Sequence, residues 1–275
     1  MTPNALRCRS DRQRSQFRDQ PQDVDEEVSW NGDFGQLRPD APKIIDRGGR
    51  SETIVAEKAM TTQIDPTRTS DEQVRALLER YKCPVPFHEV RTRFLGNIAT
   101  PVMSASPIRV VEDLWGGELP TFGSIDAAKE LVGALVMGLW NRLTRHQERS
   151  SPFRLLRIET APTREGLAKL ALMRRQELDG FVEGLFGREE VVDLPERARR
   201  GLDALGEMRA LFQAVLDVAA DETKSATDKD METTLRRMRE MTTTAEREMH
   251  SVVLSCKRAR KQMLAGLPAR KPTLH

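Results

Sequence analysis

The stretch Ser124–Leu143, SIDAAKELVGALVMGLWNRL, holds ten consecutive uncharged residues, Leu131 to Trp140, in a chain of which 31% is charged. Ala128, Leu131, Val132, Leu135, Leu139 and Leu143 recur three and four apart, the period of one helical face. Val136, Met137 and Trp140 widen that face. Ser124 or Asp126 is placed to cap the start. A helix apolar around most of its circumference belongs inside, so the spacing predicts the central helix of a helical domain. Leu131, Leu135, Leu139 and Trp140 are its core residues. Gly133 and Gly138 each cost about 1 kcal/mol in a helix interior, and predict close approach by another helix. The uncharged run is half the roughly 20 residues that a membrane span needs. Glu130 and Arg142 flank it, so no membrane association is expected.

Upstream of this helix, GGELPTFGS (116–124) is a turn-rich connection. It lacks the lysine and the spacing of a phosphate-binding Gly-x4-Gly-Lys-Ser/Thr loop, and it is not Gly-x-Gly-x-x-Gly. Before it, Pro107 suits the first turn of a short helix that carries Ile108, Val111 and Leu114 or Trp115 inward. Phe87 to Thr100 predicts another short helix, ending before Pro101. Ser70 and Gln73 form a capping box, S-x-x-Q, ahead of Val74, Leu77 and Leu78. Pro84 and Pro86 stop that helix.

Downstream, Thr163 caps a helix whose face runs through Leu167, Leu170, Leu178, Phe181 and Leu185, with Arg174 out of character on the same side. Gly187 is a suitable stop. Another helix extends from about 196 to Asp221. The last helix places Met231, Leu235, Met238, Thr242, Ala245, Met249, Val252, Cys256, Ala259 and Met263 four and three apart over more than four heptads. This seam suits either an antiparallel hairpin with the preceding helix or an intermolecular coiled coil. Thr242, Ala245 and Ala259 make it thin, so packing within the chain is expected, with at most a weak homodimer.

Of 275 residues, 38% are hydrophobic and 5% aromatic, a mixture that favours helix over sheet. The 44 basic and 42 acidic residues nearly balance, for a net charge of +2, which does not by itself point to nucleic acid. Cys8, Cys83 and Cys256 are odd in number and far apart, against a disulfide framework and in favour of a reducing, cytoplasmic setting. Residues 1–65 show no sustained hydrophobic period and read as a disordered arm. Residues 1–59 are either a native tail or the product of a start placed upstream of Met60. The expected organisation is all-α: the arm, a compact helical domain over 70–187, long helices over 196–266, and a basic tail over 267–275.

No signature of chemistry stands out. His88, His146, His250 and His275 form no His-Glu-x-x-His, and there is no Cys-x-x-Cys. No Gly-x-Ser-x-Gly elbow is present. No catalytic, metal or cofactor residue is therefore expected. An enzyme with a site assembled across the fold near His88 and His146 is a minor alternative. Lys257, Arg258, Arg260, Lys261, Arg270 and Lys271 follow the last acidic residue, Glu248. They suit either nucleic acid or an acidic partner, or a helix C-terminus with a solvated tail.

Several blocks resemble the YecA/YgfB-like family of small bacterial helical proteins. They are FLGNIATP, SPIRVVEDLWGGELPTFGSIDAAKELVGALVMGLWNRL and LDGFVEGL. Leu95-Gly96, Trp115, Pro120 to Phe122, Asn141 and Gly180-Phe181 carry the likeness, with Trp115 and Phe181 as core positions. The resemblance implies a helical fold. The Cys/His zinc motif at the end of some relatives has no counterpart around Cys256. The family offers no catalytic residues to transfer. The expected function is that of a non-enzymatic, cytoplasmic binding or adaptor protein with an unidentified protein partner, acting through helix surfaces. A nucleic-acid-associated regulator using the basic C-terminal segment is the alternative.

Overall fold

Ser70 caps the first helix as its sequence dictates. In a computed structural model, which describes residues 69–266 except 104, 222 and 224, the Ser70 hydroxyl accepts from the Gln73 amide at 3.2 Å. The Gln73 side chain accepts from the Ser70 amide at 2.7 Å. Helix α1 (Asp71–Arg80) then buries Val74, Leu77 and Leu78. After the proline turn, α2 (Phe87–Ala99) and α3 (Pro107–Asp113) follow, the latter with Pro107 in its first turn. Helix α4 (Ile125–Val132) is capped by Ser124, runs into a π-helical segment (Gly133–Trp140), and ends in α5 (Asn141–Leu143) and a 3-10 turn (Thr144–Gln147). A strap without regular structure, residues 152–161, leads to α6 (Arg164–Phe186). Thr163 caps α6, and Gly187 ends it at φ 58°. Helices α7 (Glu196–Ala220) and α8 (Asp228–Gly266) complete the fold. Among the described residues the chain is all-α, with no strand.

The π-helical segment has a reason in the sequence. A spacing of four overshoots the 3.6-residue α turn by about 40° per step. Leucines at 131, 135, 139 and 143 would therefore wind off one straight face. The wider π turn absorbs the excess, and all four stay buried.

The position of this segment corrects the expectation of a central helix. It packs on α1, α2 and α3, and Met137 at its middle is 49% exposed. The central helix is α6, which contacts α2, α7 and α8. A close approach of two backbones occurs between α2 and α6. These two run parallel, with His88 beside Gln176 and Arg93 beside Glu183. A Cβ on Gly96 would collide with the Phe181 carbonyl, and one on Gly184 with the Arg93 carbonyl. Gly180 lies against Glu89 and Thr92 in the same contact. Trp115 and Trp140 are partly exposed rather than fully buried, and each indole N–H finds a partner within the fold. Trp115 donates to the Tyr81 carbonyl at 2.9 Å and Trp140 to Asn97 Oδ1 at 3.1 Å.

Helices α7 and α8 form an antiparallel hairpin. Arg197 pairs with Glu248 at one end, and Gly201 admits Val252. The heptad seam is buried from Leu235 to Cys256 apart from Thr242, with Met231 half-covered and Met263 exposed at its ends. It packs within the chain on α7, α6 and α2. One contiguous core runs from Val74 to Cys256, so the helices over 196–266 share it with those before 187. The expected arm over 1–65 and tail over 267–275 lie outside the described residues, as do Cys8, Arg270 and Lys271.

Candidate functional site

Two features gather polar chemistry or open space in this fold, and Arg174 leads to the first. It is 3% exposed on α6 and forms an ion pair with Glu177, which is fully buried. Its other donors reach Thr242 Oγ1 on α8 at 3.2 Å and the Leu156 carbonyl at 2.6 Å. Glu177 accepts from the Leu156 amide at 2.9 Å. Glu246, on α8, accepts from the Leu155 amide at 3.0 Å and from Arg154 at 2.6 Å. The strap thus lies between α6 and α8 with two successive amides satisfied by carboxylates from opposite sides. Such amides would otherwise be orphaned. Burial pushes the Glu177 carboxyl up, and the Arg174 guanidinium opposes that shift. Every charge here is partnered within the fold, so the cluster is a structural tie with no free group for chemistry.

The second feature is a groove where α6, α7 and α8 part, with a volume of about 360 Å³. Its walls include Leu167, Leu211, Val215, Val218, Met231 and Met238. Asp230, Met231, Thr234, Arg237, Met238 and Met241 share one face of α8 at spacings of four and three. On the α7 side, Ala214 and Ala219 are too small to fill the gap. Leu211 and Val218 stand at the lip, 53% and 45% exposed. Phe212 is fully buried, whereas its neighbour Leu211 turns outward. Leu211, Ala214, Val215 and Val218 make a second apolar stripe offset from Leu205, Met208 and Phe212. The width of that combined apolar face is the signal in the sequence that marks the groove.

Three charged groups line it. Arg164 donates to the carbonyls of Val218, at 3.3 Å, and Asp221, at 2.9 Å, which close the end of α7. Asp230 accepts from the Thr227 amide at 3.1 Å and hydroxyl at 2.7 Å, and these bonds hold its pKa below the ordinary value. Arg237 is exposed and has no hydrogen bond or ion pair among the described residues. A smaller cavity of about 60 Å³ lies at the ends of α2 and α6, beside Asn97, Arg109 and Arg188.

The sequence-predicted residues fall elsewhere. Leu131, Leu135, Leu139 and Phe181 are in the core. Lys257 donates to the Gln147 carbonyl at 3.1 Å and pairs with Glu148 at 2.6 Å. Arg260 donates to the Ile98 carbonyl at 2.9 Å. These two side chains therefore fasten α8 to the domain, while Arg258 and Lys261 face solvent. His88 contacts Gln176 at 2.9 Å, and His146 contacts the Ser151 carbonyl at 2.9 Å with its ring edge-on to Phe153. Burial lowers the pKa of both. Neither lines either cavity. Burial likewise pushes the Cys256 thiol up to about 12, which keeps it an unreactive packing group. Among the described residues, no group of three or more His, Cys, Asp or Glu is placed to hold a metal ion. Comparisons with protein-family models, curated proteins and solved structures find no match to this chain.

Proposed function

We propose that this chain is a non-enzymatic binding or adaptor protein that acts through helix surfaces, and that the groove between α6, α7 and α8 is where it receives a ligand with an apolar body. The observation that carries this reading is the groove itself. Its volume of about 360 Å³ falls in the range of roughly 300–1,000 Å³ usual for ligand sites, which also favour gaps between helices of a bundle. Its methionines, Met231, Met238 and Met241, supply flexible, polarizable walls that adapt to an occupant. Nile red, an uncharged dye that brightens in apolar surroundings, tests the site. It should bind the full chain saturably, and Val218→Trp, a change at the exposed lip, should abolish that binding while leaving the helical circular dichroism intact. Absence of saturable binding, or equal binding by the Val218→Trp protein, would overturn the reading.

Relationship to the YecA/YgfB-like family is proposed alongside it. The support is that Gly96 and Gly180-Phe181, two of the blocks that carry the likeness, meet where α2 packs on α6. A solved family member whose helices did not pair at those positions would remove the proposal.

A further inference from the structure

We infer that the occupant of the groove is a free long-chain carboxylate, a fatty-acid-type anion whose alkyl chain lies among Leu167, Val215, Val218, Met231 and Met238 and whose head is held by Arg237. The inference rests on the proposed reading of the groove as a ligand site, and adds the chemistry of the ligand.

Charge complementarity gives the head. Arg164 and Asp230 line the groove but already satisfy groups of the fold, the first at the end of α7 and the second at the start of α8. Arg237 shares the α8 face that lines the groove and is uncommitted among the described residues. A guanidinium carries a fixed charge and a fork of donors that matches the two oxygens of a carboxylate. One uncommitted cation at the edge of an apolar groove selects a ligand with one negative head and an apolar body.

Volume gives the body. The groove's volume of about 360 Å³ is that of a small-ligand site. A single alkyl chain is thin enough to lie along the gap. The α8 wall runs from Asp230 to Met241, eleven steps or about 16 Å at 1.5 Å per residue. That length suits an extended chain of medium to long size. Asp230 at one end of this wall repels a second anion, so a doubly charged or diacid ligand fits poorly. The apolar lining gives water little to bond to, and each methylene buried there should tighten binding about three- to fourfold.

The test is calorimetric titration of the full chain with octanoate, decanoate and dodecanoate below their micelle-forming concentrations and with dodecanol below its solubility limit, together with displacement of bound Nile red. Dodecanoate should displace the dye and bind with one-to-one stoichiometry, and affinity should rise steadily from octanoate to dodecanoate. Dodecanol should bind about tenfold more weakly, as expected for loss of a charge-assisted hydrogen bond at an exposed site. Arg237→Gln should weaken dodecanoate about tenfold and leave dodecanol unchanged, and Arg237 is exposed, so the variant keeps its fold. If dodecanol and dodecanoate bind equally and Arg237→Gln alters neither, the anionic head is wrong while the groove remains a ligand site. If Nile red binds and no alkyl ligand displaces it, the fatty-acid assignment falls and the binding reading stands. If neither dye nor alkyl ligand binds, both fall.

Discussion

Arg174 and Glu177 show how one residue can look misplaced until its neighbours are known. A guanidinium on an apolar helical face is costly unless its charge and donors are met. Here Glu177, Thr242 and the Leu156 carbonyl meet them. Glu177→Ala should therefore cost about 3–5 kcal/mol, since it strands a buried cation and frees the Leu156 amide. The double change Arg174→Met with Glu177→Leu should recover a large part of that loss, because it removes the charges together. Urea denaturation of the single and double variants measures both. A single variant within about 1 kcal/mol of the parent would show that the pair is dispensable. Arg174 could be singled out from sequence as an exception on an apolar stripe. Its partners could not, because Thr242 and Leu156 lie at sequence distances of 68 and 18 and no local period links them.

At the scale of elements, α1 and α6 were legible because each carries its own cap and apolar stripe. Ser70, Thr163 and Gly187 sit where the chain needs a cap or a left-handed residue. The pairing of α2 with α6 was not legible from periodicity, since period tells which face is buried and says nothing about its partner. The glycines decide it. Gly96, Gly180 and Gly184 remove the side chains that would hold the two backbones apart. Gly184→Ala should destabilise the fold by at least about 1–3 kcal/mol, the usual cost of overpacking, because its new methyl meets backbone that cannot rotate away. Gly206→Ala, on α7 with open space around it, should be neutral or stabilising by a few tenths to 1 kcal/mol through helix propensity. Thermal unfolding followed by circular dichroism separates the two cases. Equal melting temperatures would show that the α2/α6 contact is looser than its geometry requires. The strap was illegible for a different reason: it has neither helical nor strand hydrogen bonding, and its amides depend on carboxylates from α6 and α8.

For the whole molecule, the division of the chain at 187 that its sequence suggests does not coincide with a break in the core, which continues from Val74 to Cys256. A fragment ending at residue 190 would lose Glu246 from the Leu155 amide, and the cover that α7 and α8 give to α6. It should show no cooperative thermal transition, whereas the chain from Met60 onward should unfold in one step. Differential scanning calorimetry checks this, and a sharp transition in the short fragment would show that the first helices stand alone. The groove belongs to this scale too. It arises where three helices diverge, so it follows from their relative placement and not from any motif.

The bond between Leu155 and Glu246 spans 91 residues. During synthesis at roughly 5–20 residues per second, the strap is made about 5–18 s before its carboxylate partner on α8. For that interval the Leu155 amide and the face of α6 that meets α8 have no cover. The core of this protein is thus completed by α8, and for about a third of its synthesis the nascent chain presents an uncovered surface that a chaperone would recognise.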